Sequence, residues 1–214
     1  MSDWVYTDLS EAIRSVELPP GMGLSEPTLA ARLHVSRVPV REAIGRLADQ
    51  RLVTVVPQVG TRVAPILMTE VENACFIRNS LEAGAFRQAS ERPGTPTSEL
   101  RDILEANRAC FDAGDAAGFF ATDEQLHQMV FALAGVPQVW DVLRGVKVHL
   151  DRLRHLQLPH ALSNPDIMDD HERIVGALER GDIGGGEEVI RRHAYRIIAD
   201  SQYIRESHPE YFQA

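Results

Sequence analysis

Apolar residues recur at a helical spacing from the start of the chain. Val5, Leu9, Ile13 and Val16 predict a helix over Trp4–Val16, which Leu18-Pro-Pro-Gly-Met-Gly must end in a turn. Ser25 then caps a second helix, with Pro27 in its first turn and Leu29, Ala30 and Leu33 on its inner face. After His34 and Val35, Ser36 caps a third, and this stretch, Val35–Leu47, carries a buried stripe of Val40, Ile44 and Leu47. Pro39 falls in its first turn, where a missing N–H is harmless. Two short helices joined this tightly, with the small Ala30 at their contact, predict a helix-turn-helix whose second member enters the major groove. Beyond Gln50 the pattern becomes extended. Leu52-Val-Thr-Val-Val, the turn Pro57-Gln-Val-Gly60-Thr and Arg62-Val-Ala-Pro read as strand, turn and strand, a two-stranded wing.

From Thr69 onward only helical periods remain, over Thr69–Arg92, Thr97–Ala113, Asp115–Ala134, Pro137–Leu158, Asn164–Arg180 and Asp182–Ser207. Pro159 to Pro165 is expected to be the longest loop among them, and the tail after His208 to be frayed or packed against a neighbour. The expected fold is mainly α: an N-terminal winged helix-turn-helix over residues 1–66, then an all-α six-helix bundle over residues 67–214.

Charge sharpens this division. The chain carries a net −9, which by itself argues against nucleic-acid binding. Residues 1–66, however, hold seven Arg against seven Asp or Glu, so the whole excess belongs to residues 67–214. Phosphate would repel the acidic body and meet only the neutral, Arg-bearing end. Arg37 and Arg41 share a helix face free of the apolar stripe, and Arg46 follows on the same helix. With Ser36, and with Gly60, Thr61 and Arg62 of the wing, they form the candidate DNA-binding set. No apolar run is long enough to span a bilayer and the first residues have no signal-like pattern, so a cytoplasmic protein with no membrane partner is expected. Cys75 and Cys110 have no metal-type or disulfide spacing, which fits a reducing compartment.

The bundle holds a second candidate chemistry. Asp123 and His127, four apart, share a helix face, and His171 and His193 stand on two later helices. Three imidazoles and a carboxylate suit a divalent Zn, Ni or Mn ion with positions left for a ligand. His149 could face the same pocket, whereas His155 and His160 lie near a helix end and in a loop. Arg78 has an ordinary i+4 partner in Glu82, or else points inward to clamp the carboxylate of a small effector. Arg152, with His149, is a second effector candidate, while Arg154 may equally lie at the surface. The alternative function for this set is a metal-dependent hydrolase.

Several motifs match one known family. They are Pro20-Gly21, Leu24-Ser25-Glu26, Leu29-Ala30, the run Val35 to Ala43, Leu47, Leu52-Val53, Pro57 and Gly60 in the first domain. In the second they are Arg78 to Glu82, Asp123-x3-His127, Asp170-His171, Ile174, Ala177-Leu178, Gly181-Asp182 and His193. Over nearly its whole length the chain resembles the GntR family of bacterial transcription regulators, in the FadR-like branch with an FCD ligand-binding domain, and its six C-terminal helices resemble the VanR subgroup. The resemblance implies that Asp123 and the three histidines bind a metal and that Arg37 and Arg41 contact DNA. It also implies a homodimer on a short palindromic operator, acting as a repressor or an activator under a small carboxylate. Pro27, Gly45, Arg51 and Val59 depart from the residues common in the family.

Overall fold

In the computed structural model, which describes residues 2–56, 60–92, 94 and 96–213, Val5, Leu9 and Ile13 of α1 (Ser2–Arg14) are fully buried. They pack with Leu29 and Ala30 of α2 (Glu26–Arg32) and with Val40, Ile44 and Leu47 of α3 (Arg37–Asp49). The Ser25 hydroxyl accepts from Thr28 N–H at 3.5 Å. Ser36 holds the extended cap conformation but makes no side-chain cap bond, so its exposed hydroxyl is left available.

The wing has a third strand that the sequence pattern did not reveal. β1 (Gly23–Leu24) lies in the stretch read only as a turn, and it pairs antiparallel with β3 (Gly60–Val63), which also pairs with β2 (Val53–Val56). Two residues carry no periodicity; β1 exists because the β3 edge satisfies its backbone. Gly60 has φ +122°, a conformation that needs glycine. The expected wing tip, Pro57 to Val59, lies outside the described residues. Arg51, just past the end of α3, takes φ +58°, the left-handed region where glycine is unstrained. Its guanidinium reaches Glu70 of the bundle at 2.8 Å.

The bundle consists of α4 (Met68–Glu91), α5 (Ser98–Ala113), α6 (Ala116–Ala134), α7 (Val139–Val146), α8 (Val148–Ala161), α9 (Pro165–Arg180), α10 (Ile183–Ala199) and α11 (Ser201–Ser207). The six expected periods therefore appear as eight segments. Pro137–Leu158 breaks at Lys147, whose buried ammonium meets Glu124 at 2.6 Å and Asp151 at 2.8 Å. The last period breaks at Asp200. The expected long loop is short, because α8 runs through Pro159 to Ala161. The tail is not frayed. Ile66 N–H donates to the Tyr211 carbonyl at 2.7 Å and Gln213 N–H to the Ile66 carbonyl at 3.2 Å, which ties the tail to the interdomain connection.

α4 and α10 approach closely through Gly186. A Cβ there would lie 2.1 Å from the Phe86 ring, which is fully buried. Gly186→Ala should cost about 1–3 kcal/mol by overpacking, seen as a lower midpoint in thermal unfolding. The head rests on the bundle: Val148 packs against the helix-turn-helix core, and Arg14 of α1 meets Asp151 at 3.1 Å. No helix among the described residues is long and apolar enough to cross a membrane.

Candidate functional site

Asp123 and His127 lie one turn apart on α6, and α9 and α10 bring His171 and His193 to them. One ligand atom from each of the four falls within 4.8 Å of all the others. His127 Nε2 stands 3.2 Å from His193 Nε2, and His171 Nε2 3.2 Å from the Asp123 carboxylate. Oxygen atoms lie behind all three rings. His127 Nδ1 faces Glu82 at 3.3 Å, His171 Nδ1 faces Asn107 Oδ1 at 2.9 Å, and His193 Nδ1 faces Asp170 at 3.9 Å. Asn107 donates its NH2 to the Phe119 carbonyl and the Thr122 hydroxyl, so its oxygen must accept from His171 Nδ1–H. That tautomer leaves a lone pair on His171 Nε2, a buried atom with no hydrogen-bond partner. Metal-binding histidines are held in this way, with the outer nitrogen donating and the inner one free to ligate. The donor set and this orphaned nitrogen fit a borderline divalent ion.

Burial pushes the His193 imidazole down to about 3 and lowers His171 as well, so both remain neutral and able to ligate. Burial alone would raise the Asp123 carboxyl; the Arg154 guanidinium beside it instead holds it well below the usual range. Glu82 behaves alike, with burial outweighed by Arg78 and His127.

A cavity of about 70 Å³ opens beside the cluster, lined by Phe119, Phe120, Ile167 and three arginines, Arg78, Arg154 and Arg196. Arg78 does bond Glu82, at 2.8 Å, but the pair is buried rather than solvated. Among the described residues its Nη2 has no hydrogen-bond partner, and neither has Nε of Arg196.

The structure corrects three placements. Arg154 is not at the surface: it is only 12% exposed and bonds Asp123, Glu124 and Asp151. His149 and Arg152 do not line this cavity. Arg152 stands two residues before Arg154, about 200° around the helix, and so faces the other way. Its Nη2 donates to the Ala64 carbonyl at 2.6 Å. Sequence reasoning also missed Asn107 as a site residue, although it continues the inner stripe of Leu100 and Leu104, where a polar side chain needs a reason.

Charges continue from the cluster to the head. Arg154 joins Asp123 to Asp151, and Asp151 is shared with Lys147 and with Arg14 of α1. An unbroken chain of ion pairs thus runs from the candidate metal ligands to the first helix of the helix-turn-helix.

On the reading face, Arg37 and Arg41 project from the start of α3 and meet on one carboxylate. Glu26 Oε2 accepts from Arg37 Nη2 at 3.3 Å and Arg41 Nη2 at 3.0 Å, and Oε1 accepts from Arg41 Nε at 3.1 Å. Arg46 stands apart, stacked 3.8 Å over the Tyr6 ring and bonded to Asp3 of α1. Arg62 donates to the Gly21 carbonyl at 3.0 Å, beside Thr61 in β3. Exposed pairs such as these contribute little stability, but they orient the guanidiniums. Glu26→Gln should therefore weaken discrimination between operator and random DNA while raising affinity for random DNA, measured by competition gel shift.

Two family models match the chain: the bacterial regulatory proteins, gntR family, over residues 1–63, and the FCD domain over residues 74–196. The HTH-type transcriptional repressor RspR of Escherichia coli (strain K12) is 31% identical over 209 residues, 97% of this chain and 92% of that protein. A probable D-xylose utilization operon transcriptional repressor of Paenarthrobacter nicotinovorans is 32% identical over 199 residues, 89% of this chain and 82% of that one. Among solved structures, E. coli McbR/YncC shares the fold with a TM-score of 0.76 at 22% identity, over 96% of this chain and 98% of the other. These matches describe a DNA-binding regulator, which sets aside the hydrolase alternative. The chain belongs to the GntR family of bacterial transcription regulators, with a FadR-like arrangement of winged helix-turn-helix head and FCD domain.

Proposed function

We propose that the chain is a metal-containing repressor whose grip on its operator is set by a small carboxylate effector. The observation that carries this reading is the convergence of Asp123, His127, His171 and His193 beside a cavity in which Arg78 keeps a buried N–H without a partner. A divalent Zn, Ni or Mn ion held by these four residues would offer a Lewis-acidic position for one effector oxygen. Arg78 Nη2 would take the other, and Arg154 and Arg196 would balance the charge. The apolar walls at Phe119, Phe120 and Ile167 restrict the rest of the effector to a small body. Arg78→Lys, which keeps a positive charge beside Glu82 but loses Nη2, should leave metal content and operator affinity intact and weaken the effector response at least about tenfold, read by fluorescence anisotropy of labelled operator against acid concentration. An unchanged response would exclude the clamp.

The regulator acts as a homodimer on a palindromic operator, one recognition helix per half-site. Repression fits the names of the relatives above. Coupling follows the ion pairs: an effector carboxylate competes with Asp123 for Arg154, Arg154 loosens from Asp151, and Asp151 changes its hold on Arg14. Such coupling amounts to roughly 1–3 kcal/mol in typical cases. Arg14→Met should keep effector binding by calorimetry but shrink the effector-induced change in operator affinity several-fold, a separation that a folding defect would not produce.

A further inference from the structure

Arg152 is fully buried, and among the described residues it has no carboxylate partner. Its Nη2 is used by the Ala64 carbonyl, its Nη1 lies 3.4 Å from His149 Nδ1, and its Nε bonds nothing. Burial lowers the guanidinium only to about 10, so it is charged at neutral pH. Arg78 and Arg154, by contrast, each lie against a carboxylate. A buried cation that no described group offsets is costly, and an anion arriving from outside would offset it.

His149 links this charge to the wall of a cavity. Arginine can only donate, so His149 Nδ1 is the acceptor and the proton of the neutral ring sits on Nε2. Burial, with the charges of Arg152 and Arg51, holds the imidazole down at about 4. His149 is 7% exposed, and its Nε2–H is buried without an acceptor. The residue lines a cavity of about 420 Å³ between head and bundle, with walls from Leu52 of the head, Ala74 and Ile77 of α4, and Val146 and Val148. None of these residues lines the cavity beside the metal ligands.

We propose that this interdomain cavity is a second ligand site, independent of the metal centre, for a small monocarboxylate with an apolar tail. The carboxylate accepts from His149 Nε2–H with Arg152 behind it, and the tail lies along Leu52, Ile77 and Val146. Glu70, also on the wall and paired with Arg51, disfavours a second negative charge on the ligand. Because the walls come from both domains, an occupant fastens the head in its present position on the bundle.

The probe is hexanoate, titrated calorimetrically into full-length protein stripped of metal with chelator and without DNA, so that neither the metal centre nor the operator contributes. One saturable site per chain is expected, with hexan-1-ol at least about tenfold weaker because it lacks the charge. His149→Phe should abolish the site. Asn73→Trp, at an exposed position on the cavity wall, should block it without touching the buried groups. Absence of saturable binding, equal affinity for hexanol, or full binding in both variants would each overturn the proposal. Failure here would leave the metal-dependent response testable separately, since that response requires loaded protein.

Discussion

His171→Ala should empty the metal centre. The replacement removes the ligand whose Nε2 lies 3.2 Å from Asp123 and whose Nδ1 is held by Asn107. Removal of a supporting hydrogen bond around such a ligand costs about 10–100-fold in metal affinity, and loss of the ligand itself should cost more than about hundredfold. The clearest readout compares two differences. Metal present at 100 times its Kd stabilises a fold by about 2.7 kcal/mol, so chelator should lower the unfolding midpoint of the unmodified protein by several degrees. The same chelator should leave the His171→Ala midpoint unchanged. Asn107→Leu, which keeps all four ligands but releases the His171 ring, should fall between the two. If the unmodified protein purified without metal and ignored added Zn, Ni and Mn in this assay, the four residues would be a histidine cluster of structural meaning only.

Arg41→Ala should weaken operator binding by about 1–3 kcal/mol, roughly 5–150-fold, with Arg37→Ala of similar size. The two guanidiniums stand side by side on Glu26 at the N-terminal end of α3, the end with which recognition helices of this motif contact base edges. The salt dependence separates their roles. A residue that reads a base loses affinity for the operator but little for random DNA, whereas a residue on phosphate loses both and lowers the salt slope by about 0.9. Arg46→Ala should have a smaller effect, since Arg46 lies over Tyr6 rather than in the Glu26 fork.

The reading head was legible because its signals are local. Val40, Ile44 and Leu47 face one core through helical spacing alone, and Ser25 caps α2 as its sequence context requires. The β1 strand was not legible, since Gly23–Leu24 becomes a strand only through β3. In the bundle, Asp123 and His127 share a face by spacing, and the residue types at His171 and His193 pointed to the same chemistry. The break at Lys147 was hidden because the apolar period passes through it. A charged residue that would normally be solvated is instead enclosed by Glu124 and Asp151 from different parts of the bundle. The same tertiary enclosure explains Arg154. Its position on α8 resembles any exposed helical arginine, and only the packing of α6 against α8 turns it toward Asp123. His149, which could have faced the pocket, and Arg152, a second effector candidate on its helix, are sent by helical rotation to the interdomain side.

The central connection is that an anion at the proposed metal centre alters the hold on DNA. The most direct measurement is the affinity of labelled operator for metal-loaded and for chelated protein, each titrated with a panel of small carboxylates. At least one acid should shift operator affinity of the loaded protein about 5–150-fold, and the shift should disappear after chelation. An effector response of the same size in chelated protein would contradict it.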